Sequence, residues 1–359
     1  MIYSQRRQKV AKLLSDLDLD ALILCQPENI RYLCGFSGSD GVLLITPDQL
    51  VFLTDSRYTT QANEEVSADC IVEYKVQADG VIDQLTSYGV TRIGFEAGLA
   101  FGVVKRFQDK GDPNLSWTHL KDELHNLRLH KSSSEISLIS KAASLNVHGL
   151  AEVEKMIRPG TKENEIALAL EFALRKLGAE EKAFDIIVAS GGRGALPHGV
   201  ASDKALAEGE LVTIDFCCRL SAYHSDETVT FALGEISTEL RSIFDTVLEA
   251  HDRALAAVTP GVALAELDRI ARDHIVDCGY GEYFGHGLGH GVGLEIHEAP
   301  TVSPRSTAIA EEGMVFTIEP GIYVPGVGGV RIEDMVLVTV DGYQTLTKIP
   351  KTFRNILLN

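Results

Sequence analysis

Four acidic residues stand where acids are expensive. Asp215 lies in LVTIDFCC, Asp226 in SAYHSDETVTF, Glu319 in MVFTIEPGIY and Glu333 in GGVRIEDMVLVTV. Each sits in or beside an apolar, β-prone run, where an ionised carboxylate is costly unless it is paired or binds metal. Asp226 follows Asp215 by eleven positions, with Tyr223 and Ser225 between, so a hairpin would bring the two together. Pro320 stiffens the chain after Glu319. Period-two alternation places Arg331 and Glu333 on one face of a strand and Asp334 on the other. Imidazoles come from FGHGLGHGVGLEIHE, where His286, His290 and His297 are set among glycines that let backbone approach a ligand closely. The spacing is not HExxH, so a mononuclear zincin is not indicated.

Four carboxylates need positive charge, and two divalent cations cancel them formally. Oxygen-rich ligation with one imidazole suits manganese, cobalt or iron(II), with zinc still compatible. Such a pair, roughly 3.5 Å apart, can hold a bridging hydroxide at neutral pH and polarise a carbonyl. Any one of these acids alone would more often be a cap or a salt-bridge partner; their joint occurrence with the glycine-embedded histidines favours a metal centre. His224 and His251 read as a turn residue and a solvated helix face.

The elements that must hold these residues fall into two groups. Up to about residue 125, helical stretches alternate with β-rich runs at Asp20 to Cys25, Gly41 to Thr46, Leu50 to Asp55, Ile71 to Lys75 and Arg92 to Glu96, the signature of an α/β domain. The serines and glutamate at 132 to 135 then form a capping box that opens a long helix reaching about Ile157. Pro159 and Gly160 break it, Thr161 is a plausible cap for the next helix, Glu163 to Leu177, and Gly178 stops that one. Strands follow at Phe184 to Ala189, Leu211 to Cys217 and Glu227 to Leu233. Two further helices, Thr238 to Val258 and Ala263 to Cys278, precede strands at Met314 to Ile318, Gly321 to Val324 and Gly329 to Val340. A helix pair followed by antiparallel strands, occurring twice, points to a duplicated α+β domain. The expected domains are 1–127 and 128–359.

Composition sets the class. With 359 residues, 45 % hydrophobic and 23 % charged, the chain fits a soluble two-domain protein, and no apolar run approaches the roughly 20 residues of a membrane helix. A formal charge of -18 disfavours nucleic acid and anionic membrane as partners. The opening MIYSQRRQKVAKLL lacks the apolar core of a signal peptide and reads as an amphipathic helix, which makes the cytoplasm the expected location. Six cysteines show no CxxC spacing and are expected as reduced thiols.

These segments resemble the Xaa-Pro peptidase branch of the pita-bread metallopeptidases, which includes aminopeptidase P and prolidase. The resemblance is carried by ALPHG at 195–199, the segments around Asp215 and Asp226, GHGLGHGVGLEIHEAP at 285–300, TIEPGIY at 317–323 and GVRIED at 329–334, and in front by NIRYLCGFSGS and TDSRYTTQA. It implies a creatinase-like α/β N-terminal domain and a pita-bread catalytic domain with pseudo-twofold duplication. It further implies that Asp215 chelates one metal, that His290 and Glu319 bind the other, and that Asp226 and Glu333 bridge them, manganese being the first choice. Glu319 would also shuttle a proton to the leaving proline nitrogen. His198 and His297 would stabilise the tetrahedral intermediate and hold the scissile carbonyl. His286 would lie against the proline ring, and Tyr323 and Arg331 would hydrogen-bond near the reacting centre. Members commonly pair as homodimers.

Two departures stand out. Cys217 and Cys218 replace a glycine and a small residue, with quiet packing their expected role, and Thr301 stands where many prolidases carry arginine, with Arg305 four residues later. A dipeptidase gains from a cation that captures the free carboxylate of Xaa-Pro, so Thr301 tilts the expectation toward an Xaa-Pro aminopeptidase, with Xaa-Pro dipeptidase (prolidase) as the rival. A metal-free creatinase-like hydrolase and a non-catalytic binding protein on the same fold are the remoter alternatives; the full ligand set argues against both.

Overall fold

The computed structural model describes residues 2–356, and the chain divides between Arg128 and Leu129 into two compact units. Met1 of the expected opening helix and residues 357–359 of the expected second domain lie outside the described residues.

The first unit is a mixed sheet flanked by helices. Its strands are β1 (Ala21–Leu24), β2 (Val42–Ile45), β3 (Leu50–Thr54), β4 (Cys70–Glu73), β5 (Arg92–Glu96) and β6 (Ser116–Leu120), arranged β4-β3-β2-β1-β5-β6. The helices are α1 (Ile2–Asp16), α2 (Pro27–Cys34), α3 (Thr59–Glu65), α4 (Gln77–Ser87), α5 (Phe101–Lys110) and α6 (Asp122–Leu127). Strands β1, β2 and β3 are wholly buried, which is why they read as unbroken apolar runs. Sequence reasoning missed β6: its pattern SWTHL is largely exposed and lacks a continuous apolar face.

The second unit contains the same construction twice. Helices α7 (Ser133–Val153) and α8 (Glu163–Lys176) pack on a sheet of β7 (Ile187–Ser190), β8 (Leu211–Phe216) and β11 (Glu227–Leu233), joined at its edge by β19 (Arg354–Ile356). Helices α9 (Thr238–Ala256) and α10 (Leu264–Asp277) pack in the same way on strands that include β14 (Val315–Ile318) and β17 (Asp334–Thr339). The five-stranded sheet runs β13 (Glu298–Val302), β12 (Gly289–Gly291), β14, β17 and β18 (Gly342–Thr345), and β15 (Gly321–Val324) pairs with β16 (Gly328–Arg331).

Local chemistry explains the helix starts. Ser132 Oγ and the Glu135 carboxylate exchange hydrogen bonds with each other's backbone to open α7, and Ser237 Oγ accepts from Leu240 N to open α9. In α9 the buried residues Leu240, Ile243, Phe244, Val247, Ala250 and Ala254 form one stripe at helical spacing. Thr161 is not the cap of α8; the cap position falls on Lys162, whose N–H is accepted by the Glu165 carboxylate at 3.2 Å.

Three further expectations are corrected. The run from Gly329 to Val340 is not one strand: β16 and β17 belong to different sheets, and Ile332 and Glu333 form the break between them. His251 is not on a solvated face. It is 1 % exposed, with Nδ1 3.0 Å from Asp252 and Nε2 3.2 Å from Asp334, because α9 turns this face toward the sheet. His224 is a buried residue of the short strand β10 (Tyr223–His224), which pairs with β9 (Arg219–Leu220), and its Nδ1 lies 3.1 Å from Gly293 O. The turn proper is Ser221 and Ala222, both with positive φ, as a two-residue hairpin loop of the type I′ form requires.

Candidate active site

Strands β8 and β11 pair antiparallel with Asp215 opposite Thr228. Two residues before Thr228, Asp226 falls on the same face by alternation, so both acids enter a cavity of about 690 Å³ from the first helix-backed sheet. The second half supplies the other donors. His290 sits at the middle of β12, Glu319 follows the end of β14, and Glu333 precedes β17. All five line the cavity, with His198, His286, His297, Tyr323 and Arg331.

His290 reaches its place through two devices. Pairing of β12 with β13 slips between His290 and Gly291, a bulge that re-aims the side chain. Its flanking glycines have no room for a side chain: a Cβ at Gly289 would lie 2.0 Å from Thr317 O, and one at Gly291 2.1 Å from Ala299 O. His290 Nδ1 lies 3.1 Å from Gly291 O and donates to it, which leaves Nε2 free to bind metal. That Nε2 lies 3.5 Å from Asp226 Oδ2 and 3.3 Å from Glu319 Oε1. Asp226, His290 and Glu333 each present one atom within 4.8 Å of the other two, a spacing at which three side chains can close on a cation.

Asp215 is held differently. Its Oδ2 accepts from Arg331 Nη2 at 2.5 Å, while its buried Oδ1 has no hydrogen-bond partner. A buried carboxylate oxygen without a donor wants a cation, and this one faces the cavity that holds the other acids. Arg331 also donates from Nη1 to Tyr323 Oη at 2.9 Å and to Pro197 O at 3.0 Å. Tyr323 Oη lies 2.9 Å from His286 Nε2 and, already accepting from Arg331, donates to it. His286 Nδ1 in turn lies 2.8 Å from Gly287 O. A single chain of hydrogen bonds therefore runs from Asp215 through Arg331 and Tyr323 to His286.

Electrostatics follow from burial. Asp226 and Glu333 are 3 % and 2 % exposed, and burial, reinforced by repulsion from neighbouring carboxylates, pushes both carboxyls well above the ordinary range. Burial also raises Glu319. Burial pulls His286, His290 and His297 down, which keeps them neutral and able to donate a lone pair or a single N–H. His297 packs edge-on against His290 with ring centroids 4.3 Å apart, and His198 is exposed at the same cavity.

Sequence reasoning missed two threonines. Thr228 Oγ1 donates to Glu333 Oε2 at 2.6 Å and accepts from Arg331 Nε at 3.3 Å; Thr317 Oγ1 donates to Glu319 Oε1 at 3.2 Å and accepts from His290 N at 3.1 Å. The signal was available: each stands two residues from a candidate acid, on the same strand face. Cys217 is buried, its Sγ accepts from Ala183 N at 3.0 Å, and burial followed by the charge of Asp226 holds it as a thiol; Cys218 Sγ bonds Ala142 O at 3.3 Å. Both are packing residues.

Two helix-backed sheets, each sending carboxylates into one buried pocket with a free imidazole nitrogen between them, define a metal-dependent hydrolase of the pita-bread fold. The model of Metallopeptidase family M24 matches residues 137–340, that of the Creatinase/Prolidase N-terminal domain matches residues 6–130, and the chain belongs to metallopeptidase family M24. An Xaa-Pro dipeptidase of Pyrococcus furiosus is 39 % identical over 96 % of this chain and 98 % of its own length. Among solved structures, an Xaa-Pro dipeptidase from Bacillus anthracis superposes with a TM-score of 0.95 at 40 % identity, covering 99 % of this chain and 100 % of its own. An X-Pro aminopeptidase from Thermotoga maritima gives 0.88 at 37 %, covering 98 % and 99 %.

Proposed function

We propose that this metallopeptidase is a dinuclear Xaa-Pro peptidase that cleaves the bond between an N-terminal residue and a following proline. The observation that carries it is the convergence of five donors from both halves of the second unit, with Asp226, His290 and Glu333 within reach of one cation and Asp215 Oδ1 lacking any other partner. Asp215, Asp226, His290, Glu319 and Glu333 would hold two divalent ions, manganese first, with cobalt, zinc or iron able to use the same donors. When bound, such a pair makes water nucleophilic at neutral pH and polarises the scissile carbonyl.

The remaining steps belong to the protein. Glu319 takes a proton from the attacking water and delivers it to the proline nitrogen. His198 and His297 hold the carbonyl oxygen as charge develops on it. His286, fixed by Tyr323 and Gly287 and packed edge-on to Phe284 at 5.0 Å, offers its ring to the proline. Arg331 keeps Asp215 and Tyr323 in register.

Peptide length separates two readings. Relatives named as Xaa-Pro dipeptidases support a dipeptidase. Among the described residues lining the cavity, Arg331 is the one guanidinium or ammonium, and it is committed to Asp215, Tyr323 and Pro197; Thr301 and Ser303 line the same cavity and bring no charge to it. That favours peptides extending beyond proline, hence the aminopeptidase. Rates on an Xaa-Pro dipeptide and an Xaa-Pro-Yaa tripeptide after loading with Mn²⁺ test both: cleavage of the dipeptide alone overturns the aminopeptidase, and cleavage of neither overturns the activity itself.

A homodimer is carried by the family resemblance, and sedimentation velocity tests it. No described helix is long and apolar enough to cross a membrane, and all six cysteines are free, which fits a reducing cytoplasm.

A further inference from the structure

Directly behind the proposed centre lies a second, entirely separate set of buried charges. Asp226 is followed by Glu227, the first residue of β11, and Glu333 by Asp334, the first residue of β17. Successive strand residues point to opposite faces, so the acids that face the cavity are each backed by an acid that faces away. Those two backing acids meet at one cation. Lys351 Nζ lies 2.6 Å from Glu227 Oε1 and 3.6 Å from Asp334 Oδ1, and the three side chains are 6 %, 0 % and 8 % exposed. Glu227 Oε1 also accepts from Ile349 N at 3.1 Å, Asp334 Oδ1 accepts from Thr347 Oγ1, and Asp334 Oδ2 lies 3.2 Å from His251 Nε2.

Glu227 and Asp334 belong to different sheets, one from each half of the duplicated unit. Lys351 comes from neither half's catalytic strands but from the C-terminal segment, which then continues into β19 alongside β11. The ammonium is thus placed to fix how far apart the starts of β11 and β17 stand. The separation of Asp226 from Glu333, one residue back on each strand, follows from that spacing.

Given the metal centre proposed for Asp226 and Glu333, we propose that Lys351 is a positioning residue for it: through Glu227 and Asp334 it sets the spacing of these two carboxylates, one from each half, that would hold metal. Partners that orient metal ligands typically contribute about 10–100-fold to metal affinity or activity, and Lys351 would act in that range without touching metal or substrate.

The test uses the full-length protein, stripped of metal and titrated with Mn²⁺ by calorimetry. Lys351→Met, which removes the charge and keeps the bulk, is expected to weaken Mn²⁺ binding by about 10–100-fold. On a Xaa-Pro-Yaa peptide it is expected to lower kcat at limiting Mn²⁺, with kcat recovering as Mn²⁺ is raised and KM for peptide unchanged. Lys351→Arg, which keeps the charge, is expected to lie between Lys351→Met and wild type. Glu227→Gln/Lys351→Met removes the unpaired buried acid that the single variant leaves and serves where Lys351→Met fails to fold. Weak Mn²⁺ binding in a folded double variant supports positioning. A wild-type Mn²⁺ affinity in either folded variant overturns it and leaves the metal centre intact. Wild-type protein that binds no Mn²⁺ overturns the metal centre, and this inference with it.

Discussion

Arg331 Nη2 and Asp215 Oδ2 stand 2.5 Å apart, and the same guanidinium donates to Tyr323, Pro197 and Thr228, so one buried side chain fixes an acid of the first half from a strand of the second. Replacing it by Met leaves Asp215 and Tyr323 without their buried donor. Removing one partner of a buried ion pair costs roughly 3–5 kcal/mol, and ligand misplacement of this kind lowers kcat by on the order of 10²-fold. Arg331→Lys supplies a point charge without the planar fork and is expected to restore stability more than activity. Urea unfolding and peptidase assays check both, and a fully active Arg331→Met would remove Arg331 from the site.

Glu319→Gln keeps an oxygen toward the cavity and removes the proton carrier. Its expected effect is a fall in kcat of about 10²–10⁴-fold with little change in KM. Saturation kinetics at high Mn²⁺ decide: if KM rises and kcat stands, Glu319 binds substrate and carries no proton.

The pH dependence has a definite sign. Burial, then carboxylate repulsion, raises Asp226 and Glu333 well above their ordinary values, and burial raises Glu319, so in the metal-free protein these groups hold protons that cations bound by the proposed donor set would displace. Metal affinity therefore rises with pH through those raised values, and binding releases protons. Calorimetry in two buffers of different ionisation enthalpy counts them; no release, or uptake, contradicts the donor set.

Linkage also fixes a stability effect. A carboxyl whose folded pKa is raised contributes stability that is present below its unfolded value and lost as pH rises through the folded one. Glu333→Gln is therefore expected to raise the thermal midpoint of metal-free protein at pH 8 relative to wild type, with the gap closing toward pH 4. The buried histidines shift oppositely but are common to both proteins and cancel in the difference.

Gly289→Ala tests the approach that seats His290. Its Cβ would fall 2.0 Å from the backbone oxygen of Thr317, so a strand must shift, at about 1–3 kcal/mol of overpacking. Weakened Mn²⁺ binding and at least tenfold lower activity are expected, whereas Gly192→Ala, with nothing within 4 Å, is expected to behave as wild type.

The amino-acid sequence by itself determined a good deal. Carboxylates in apolar β-prone runs cannot stand alone in a buried strand, so the sequence by itself marks Asp215, Asp226, Glu319 and Glu333 as acids that need a positive partner, and the glycines around His290 mark a close approach. Capping chemistry and helical spacing located α7, α9 and α10 for the same reason: those signals are local. Other things were decided only by tertiary structure. His251 stands on the apolar stripe of α9, four residues after Val247 and three before Ala254, so its burial was legible in the helix; that the partner it meets there is Asp334 was decided by packing. The break between β16 and β17 at Glu333 arises because the two strands join different sheets, although alternation across it still sends Glu333 inward and Asp334 outward. The partners of Asp215 and Glu227 lie more than 100 residues away in the chain, at Arg331 and Lys351. No periodicity carries information over that distance; only the packing of the two halves does.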